Sequence, residues 1–186
     1  MNTTITASAA PTMTAAARDR AVNGLVLGFA GAMWLSWAQQ GPPAGWPLPL
    51  AVGSGLGLLV AVIGGVLVWR RRHGASAMSD PRGLRTYYRT VGIESAAIAA
   101  GSTALGITGH SAYIAVWILF VVGAHFVPLG RLFRIRSLVV VGVVLIPVSV
   151  AAAVVGLVWT VAPSAVAGGI GGLLLVGFGA WSLTAS

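Results

Sequence analysis

LPLAVGSGLGLLVAVIGGVLVWRRR, residues 48–72, is the stretch on which the fold turns. Residues 48–69 carry no charge, and Arg70, Arg71 and Arg72 follow directly after Trp69. A helix rising ~1.5 Å per residue needs roughly 20 apolar residues to cross the hydrocarbon of a bilayer, so this run is long enough and the arginines mark its end. Five further windows meet or approach the same test: 21–39, 88–108, 112–130, 137–160 and 165–184. The window 88–108 is the weakest. It contains Glu94, Ser95, Ser102 and Thr103, and is expected to depend on its neighbours to stay in lipid.

The arginines test this division independently. Arg18 and Arg20 precede the first window; Arg70, Arg71, Arg72, Arg82, Arg85 and Arg89 lie between or at the edges of the second and third; Arg131, Arg134 and Arg136 lie between or at the edges of the fourth and fifth. The remaining connections and the C-terminal end have none. Six spans put every Arg on one side, which the positive-inside rule makes the cytoplasm. The expected fold is therefore all-α, an integral bundle of six transmembrane helices in the plasma membrane with both termini cytoplasmic. Residues 1–20, rich in Thr, Ala and Ser without apolar periodicity, are expected to form a disordered tail, and 21–186 a single transmembrane domain. The first window follows two arginines but ends in Trp34, Trp37, Gln39 and Gln40 rather than at a cleavage site, so it is taken as a span and not a secretory signal.

Composition agrees with that solvent. Of 186 residues 57% are hydrophobic and 8% charged, more apolar surface than one water-soluble core of this length hides, so the lipid bilayer is the expected partner. The net charge of +8 does not indicate nucleic acid, because Lys is absent and the arginines are confined to short segments between apolar runs. No Cys is present, which excludes disulfides, thiol nucleophiles and cysteine metal sites. Short outer links make sequential helices antiparallel neighbours. Gly24 with Gly28, Gly53 with Gly57 and Gly168 with Gly172 have the spacing that lets membrane helices approach closely, and the layout is compatible with a homo-oligomer. Pro147 is placed to kink the fifth helix.

Glu94 is the one acid inside a window, and an ionisable group at membrane depth is a functional-site candidate because exposing it to lipid is costly. Counting from Arg89, Glu94 lies about 7.5 Å inward; counting from Arg131, His125 lies about 9 Å inward on the next helix. The two are therefore expected to meet. Asn23, three residues past Arg20, belongs to the same level, Tyr87 and Tyr88 just below it, and Phe126 beside His125; Arg89 and Arg131 rim the cluster. The plainer alternative is that Glu94 and His125 merely lock two helices together. No metal site is expected, since too few ligands converge, and no cofactor motif is present. His73 and His110 are assigned to loops, and Trp34, Trp37, Trp46, Trp159 and Trp69 to the interfacial aromatic belt.

The segment Gly123-Ala-His125-Phe-Val-Pro128-Leu-Gly-Arg131-Leu-Phe133, preceded by Gly92-Ile-Glu94, resembles a group of small actinobacterial multi-span membrane proteins with a Glu followed by Gly-x-His-Phe-x-Pro-Leu-x-Arg-Leu-Phe. In size and span number the chain is also similar to bacterial membrane-bound terpene cyclases of the drimentine type, which act on farnesylated indoles. That resemblance implies a prenylated, lipophilic small-molecule substrate and an acid-initiated cyclisation. Such chemistry needs a carboxylic acid that protonates an alkene or epoxide, and an anhydrous site with aromatic faces for the carbocations. Glu94 would be the acid, His125 or Asn23 its orienting or proton-accepting partner, and Tyr87, Tyr88, Trp117 and Phe126 the cation-facing rings. Two rival readings remain open: a proton-coupled exporter of a lipophilic compound using the same acid and imidazole, and a non-catalytic structural protein.

Overall fold

In the computed structural model, which describes residues 13–71, 81–133 and 135–184, the chain folds into six long helices. They are α1 (Met13–Ala38), α2 (Pro47–Arg70), α3 (Pro81–Ile107), α4 (Ile114–Phe133), α5 (Arg136–Val158) and α6 (Pro163–Thr184), with one 3-10 turn, Ser111–Tyr113, before α4. All six are long and apolar enough to cross a membrane. Three of them open on a proline: its fixed φ suits a first helical turn and its missing N–H is not needed there. Once started, α4 and α5 run through Pro128 and Pro147 respectively.

Two boundaries differ from expectation. Helix α1 begins at Met13, so residues 13–20 are helical rather than part of a disordered tail; residues 1–12 lie outside the described residues. The run Ala15-Ala16-Ala17-Arg18-Asp19-Arg20 lacks hydropathy but consists mostly of strong helix formers, and a helix nucleated in the apolar stretch propagates back through it. Helix α3 likewise starts at Pro81 and not near residue 88, which places Tyr87 and Tyr88 inside it.

Helix α6 is the hub, packed against α1, α2, α4 and α5. The closest approaches are made through glycine, because lipid offers no hydrophobic drive for helix association and tight packing must supply it. A Cβ on Gly28 would lie 2.7 Å from the Ala61 backbone nitrogen, one on Gly168 2.7 Å from the Trp34 carbonyl, and one on Gly172 3.0 Å from the Gly31 carbonyl. Helix α1 is thus clasped between α2 and α6. Helices α4 and α5 meet in the same manner, with Gly142 over the Gly123 carbonyl. The core between these pairs is filled by Leu27, Leu119, Val141, Leu145 and Leu175, all fully buried.

Of the indoles expected in the aromatic belt, Trp69 and Trp159 are exposed, whereas Trp34 is buried and stacks on Trp37 with ring centroids 5.4 Å apart. Helix α3 stands apart from the rest: it packs against α4 and the 3-10 turn, and none of its most apolar window is buried, against half or more for α1 and α6.

Candidate functional site

Glu94 and His125 are brought together as their depths required. Glu94 sits at the centre of the α3 face that meets α4, and its Oε2 lies 3.3 Å from His125 Nδ1. The His125 side chain is 7% exposed and that of Glu94 17%, so the imidazole is enclosed while the carboxyl keeps an open edge. The nitrogen is within ion-pair distance of the carboxylate without being aligned for a hydrogen bond. The backbone of Thr90, one turn before Glu94, also lies beside the ring. Arg89 and Arg131 are both exposed, and among the described residues the ion-pair contact of Glu94 is with His125.

The other expected members divide. Asn23 is buried, but its amide donates to Ser182 Oγ on α6 at 2.7 Å, and that hydroxyl donates in turn to the Phe178 carbonyl at 2.8 Å. The contact that Asn23 makes therefore ties α1 to α6 and is not one with Glu94. Ser182 stands two residues before the end of α6, and no arginine follows that helix from which its depth could be counted. Tyr87 is half-buried against the main core and stacks edge-on with the exposed Tyr88 at 5.6 Å. Phe126 is buried beside His125, ring centroids 6.0 Å apart, with its Cβ against Gly142 of α5.

Trp117 has a different place from the one its aromatic character suggested. Its indole N–H donates to the Ala97 carbonyl on α3 at 3.0 Å, and its ring lies in the notch left by Gly101. Gly101 is a site residue that sequence reasoning missed, because nothing in a glycine-rich helix marks which glycine receives a partner's ring.

Chemically, a carboxyl and an imidazole in contact can exchange a proton, and the carboxyl, on the α3 face that meets α4, keeps 17% of its side chain exposed. Such a pair can deliver a proton to a group that arrives from the side and take one back. Among the described residues no three His, Asp or Glu side chains gather as a metal site would require. A groove of about 420 Å³ runs along α6, lined by Ile170, Leu173, Leu174, Gly177, Phe178 and Trp181; Glu94 and His125 do not line it. His110 is exposed with Nδ1 3.3 Å from Thr108 Oγ1, and His73 lies outside the described residues. No protein-family model, no curated protein and no solved structure matches this chain.

Proposed function

We propose that the chain is a membrane-bound cyclase in which Glu94 protonates an alkene of a prenylated, lipophilic substrate, and that it lies in the plasma membrane with both termini cytoplasmic. The observation that carries the reading is the 3.3 Å contact of Glu94 with His125 at lipid depth on the edge helix α3. The orientation follows from the arginines, which flank the spans on one side only. The substrate class, a farnesylated indole, is taken from the likeness in size and span number to the drimentine-type cyclases.

In this reading the substrate reaches α3 sideways from the bilayer and needs no aqueous channel. The Glu94 carboxyl transfers its proton to a terminal alkene carbon, leaving a tertiary cation. Attack by the next double bond closes a ring, and loss of a proton from the final cation to His125 restores neutrality. The imidazolium then returns that proton to the Glu94 carboxylate across their contact. The balance is an isomerisation: no cofactor is consumed and acid and base are regenerated. Phe126, whose ring centroid lies 6.0 Å from that of His125, is the ring beside this path, with Tyr87 and Tyr88 one to two turns before Glu94 on α3.

The test is to incubate membranes containing the wild-type chain or Glu94→Gln with farnesylated indoles, with analysis by mass spectrometry and NMR. A cyclic isomer made by the wild type and lost in Glu94→Gln, with the variant still inserted, is the expected outcome. Equal product from both refutes the acid role, and none from any prenylated substrate refutes the cyclase.

A further inference from the structure

We propose that Gly101 and Trp117 form a register lock between α3 and α4, which makes Trp117 the positioning residue of the Glu94–His125 pair. Its consequence for turnover rests on the cyclase reading; the lock itself does not.

The case begins with how little else holds α3. Its packing is against α4 and the 3-10 turn, and its other side is exposed, Ile93, Ala96, Ala100, Thr103 and Ile107 among the residues on it. Gly92 and Gly106 face open space, since a Cβ on either would meet nothing within 4 Å. A helix held along one side only can slide or turn against that neighbour. A slip of one residue moves it ~1.5 Å and turns it ~100°, which would carry Glu94 out of the α4 face. Some contact must therefore fix the register that sets the 3.3 Å distance.

The indole of Trp117 is that contact. In an α-helix each Cβ tilts toward the N-terminus and lies over the preceding turn, so a side chain at position 101 would cover the carbonyl of residue 97. Glycine at 101 leaves that carbonyl open from the side. Its second lone pair then accepts the Trp117 N–H at 3.0 Å, in addition to the helix's own hydrogen bond. A Cβ on Gly101 would run into the indole atoms Nε1, Cε2 and Cδ1, so ring and notch fit in one register only. The geometry is directional as well as close, because an indole N–H in lipid has no water to turn to. Ala97 is one turn beyond Glu94 on α3, and Trp117 is two turns before His125 on α4. Both partners of the lock are therefore rigidly connected to both partners of the pair.

The experiment uses the absence of native cysteine. Glu94→Cys with His125→Cys, introduced together, reports the distance by oxidative or short bis-maleimide cross-linking in the full-length membrane protein. The cross-link is expected to form in the parent background and with Gly106→Ala, to weaken with Trp117→Phe, and to fall to background with Gly101→Ala. Gly101→Ala combined with Trp117→Leu, which removes the collision, should recover part of it. Unchanged cross-linking in both Gly101→Ala and Trp117→Phe overturns the lock. With the native pair in place, Gly101→Ala should lower kcat about 100-fold, the cost of a misplacement near 1 Å, with a much smaller change in KM. If the cross-links respond as expected and the parent chain makes no cyclic product, the lock stands and the cyclase reading falls.

Discussion

Adding one methyl group to Gly28 is the most direct challenge to the packing described above. In Gly28→Ala the new Cβ would lie 2.7 Å from the Ala61 nitrogen, 2.8 Å from the Gly57 carbonyl and 2.9 Å from Val60 Cγ1. Two of these neighbours are backbone and cannot rotate away. Ordinary contact begins at 3.4 Å, so α1 and α2 must separate by about 0.7 Å. A gap of that size forfeits roughly a quarter to a half of the dispersion energy at each contact it opens. Overpacking of this kind costs typically 1–3 kcal/mol, set against about 0.5–1 kcal/mol that Ala gains over Gly in a helix. The net expectation is a destabilisation on the order of 1–2 kcal/mol. The control is Gly55→Ala on the outer face of α2, where a Cβ meets nothing within 4 Å and only the helix preference acts. Unfolding of the purified protein in mixed detergent micelles, followed by the fluorescence of its seven Trp, measures both. If Gly28→Ala proves as stable as Gly55→Ala, close glycine packing is not what joins α1 to α2.

Replacing Asn23 by Ala should cost about 0.5–1.5 kcal/mol, the net worth of one hydrogen bond, because Ser182 keeps its bond to the Phe178 carbonyl, whereas Asn23→Ala combined with Ser182→Ala should cost less than the two single changes together. The same micelle titration checks this, and strict additivity would deny the link between α1 and α6. For orientation, a fluorescent protein fused after Ser186 should fluoresce and a phosphatase fused there should be inactive; an active phosphatase would reverse the assigned sides.

How much of this was legible beforehand depended on which force decided each feature. The six spans were readable because crossing lipid demands a long uncharged run, and because arginine segregation is a second signal independent of hydropathy. The starts of α1 and α3 were not, since residues 13–20 and 81–87 are helical by propensity and local continuity, which apolar windows do not register. The meeting of Glu94 with His125 followed from counting rise per residue on adjacent helices. The same counting failed for Asn23, because depth fixes level but not azimuth, and Asn23 turns toward Ser182 on α6. Trp34 was expected in the belt and is buried, and Trp117, expected as a cation-facing ring, lies in the Gly101 notch, because which indole meets a partner helix is decided by azimuth and by the partner's backbone.

The two ways in which helices are held here bear on how the site should be probed. Helices α1, α2 and α6, and α4 with α5, are joined where glycine brings backbone against backbone. Helix α3 has the lowest mean hydropathy of the six and no buried window, and its glycines at 92 and 106 touch nothing. It is fastened to α4 by the indole bond to Ala97, the Gly101 notch and the Glu94–His125 contact, with Tyr87 against the core. The proposed acid is thus also one of the few attachments of its own helix. Glu94→Ala would remove proton donor and fastening together, and loss of product in that variant would not separate the two. Glu94→Gln keeps the volume and a hydrogen-bonding group against His125 while withdrawing the acid. If α3 stays in register in Glu94→Gln, as the paired-cysteine measurement on the lock would lead one to expect, any lost turnover belongs to the proton.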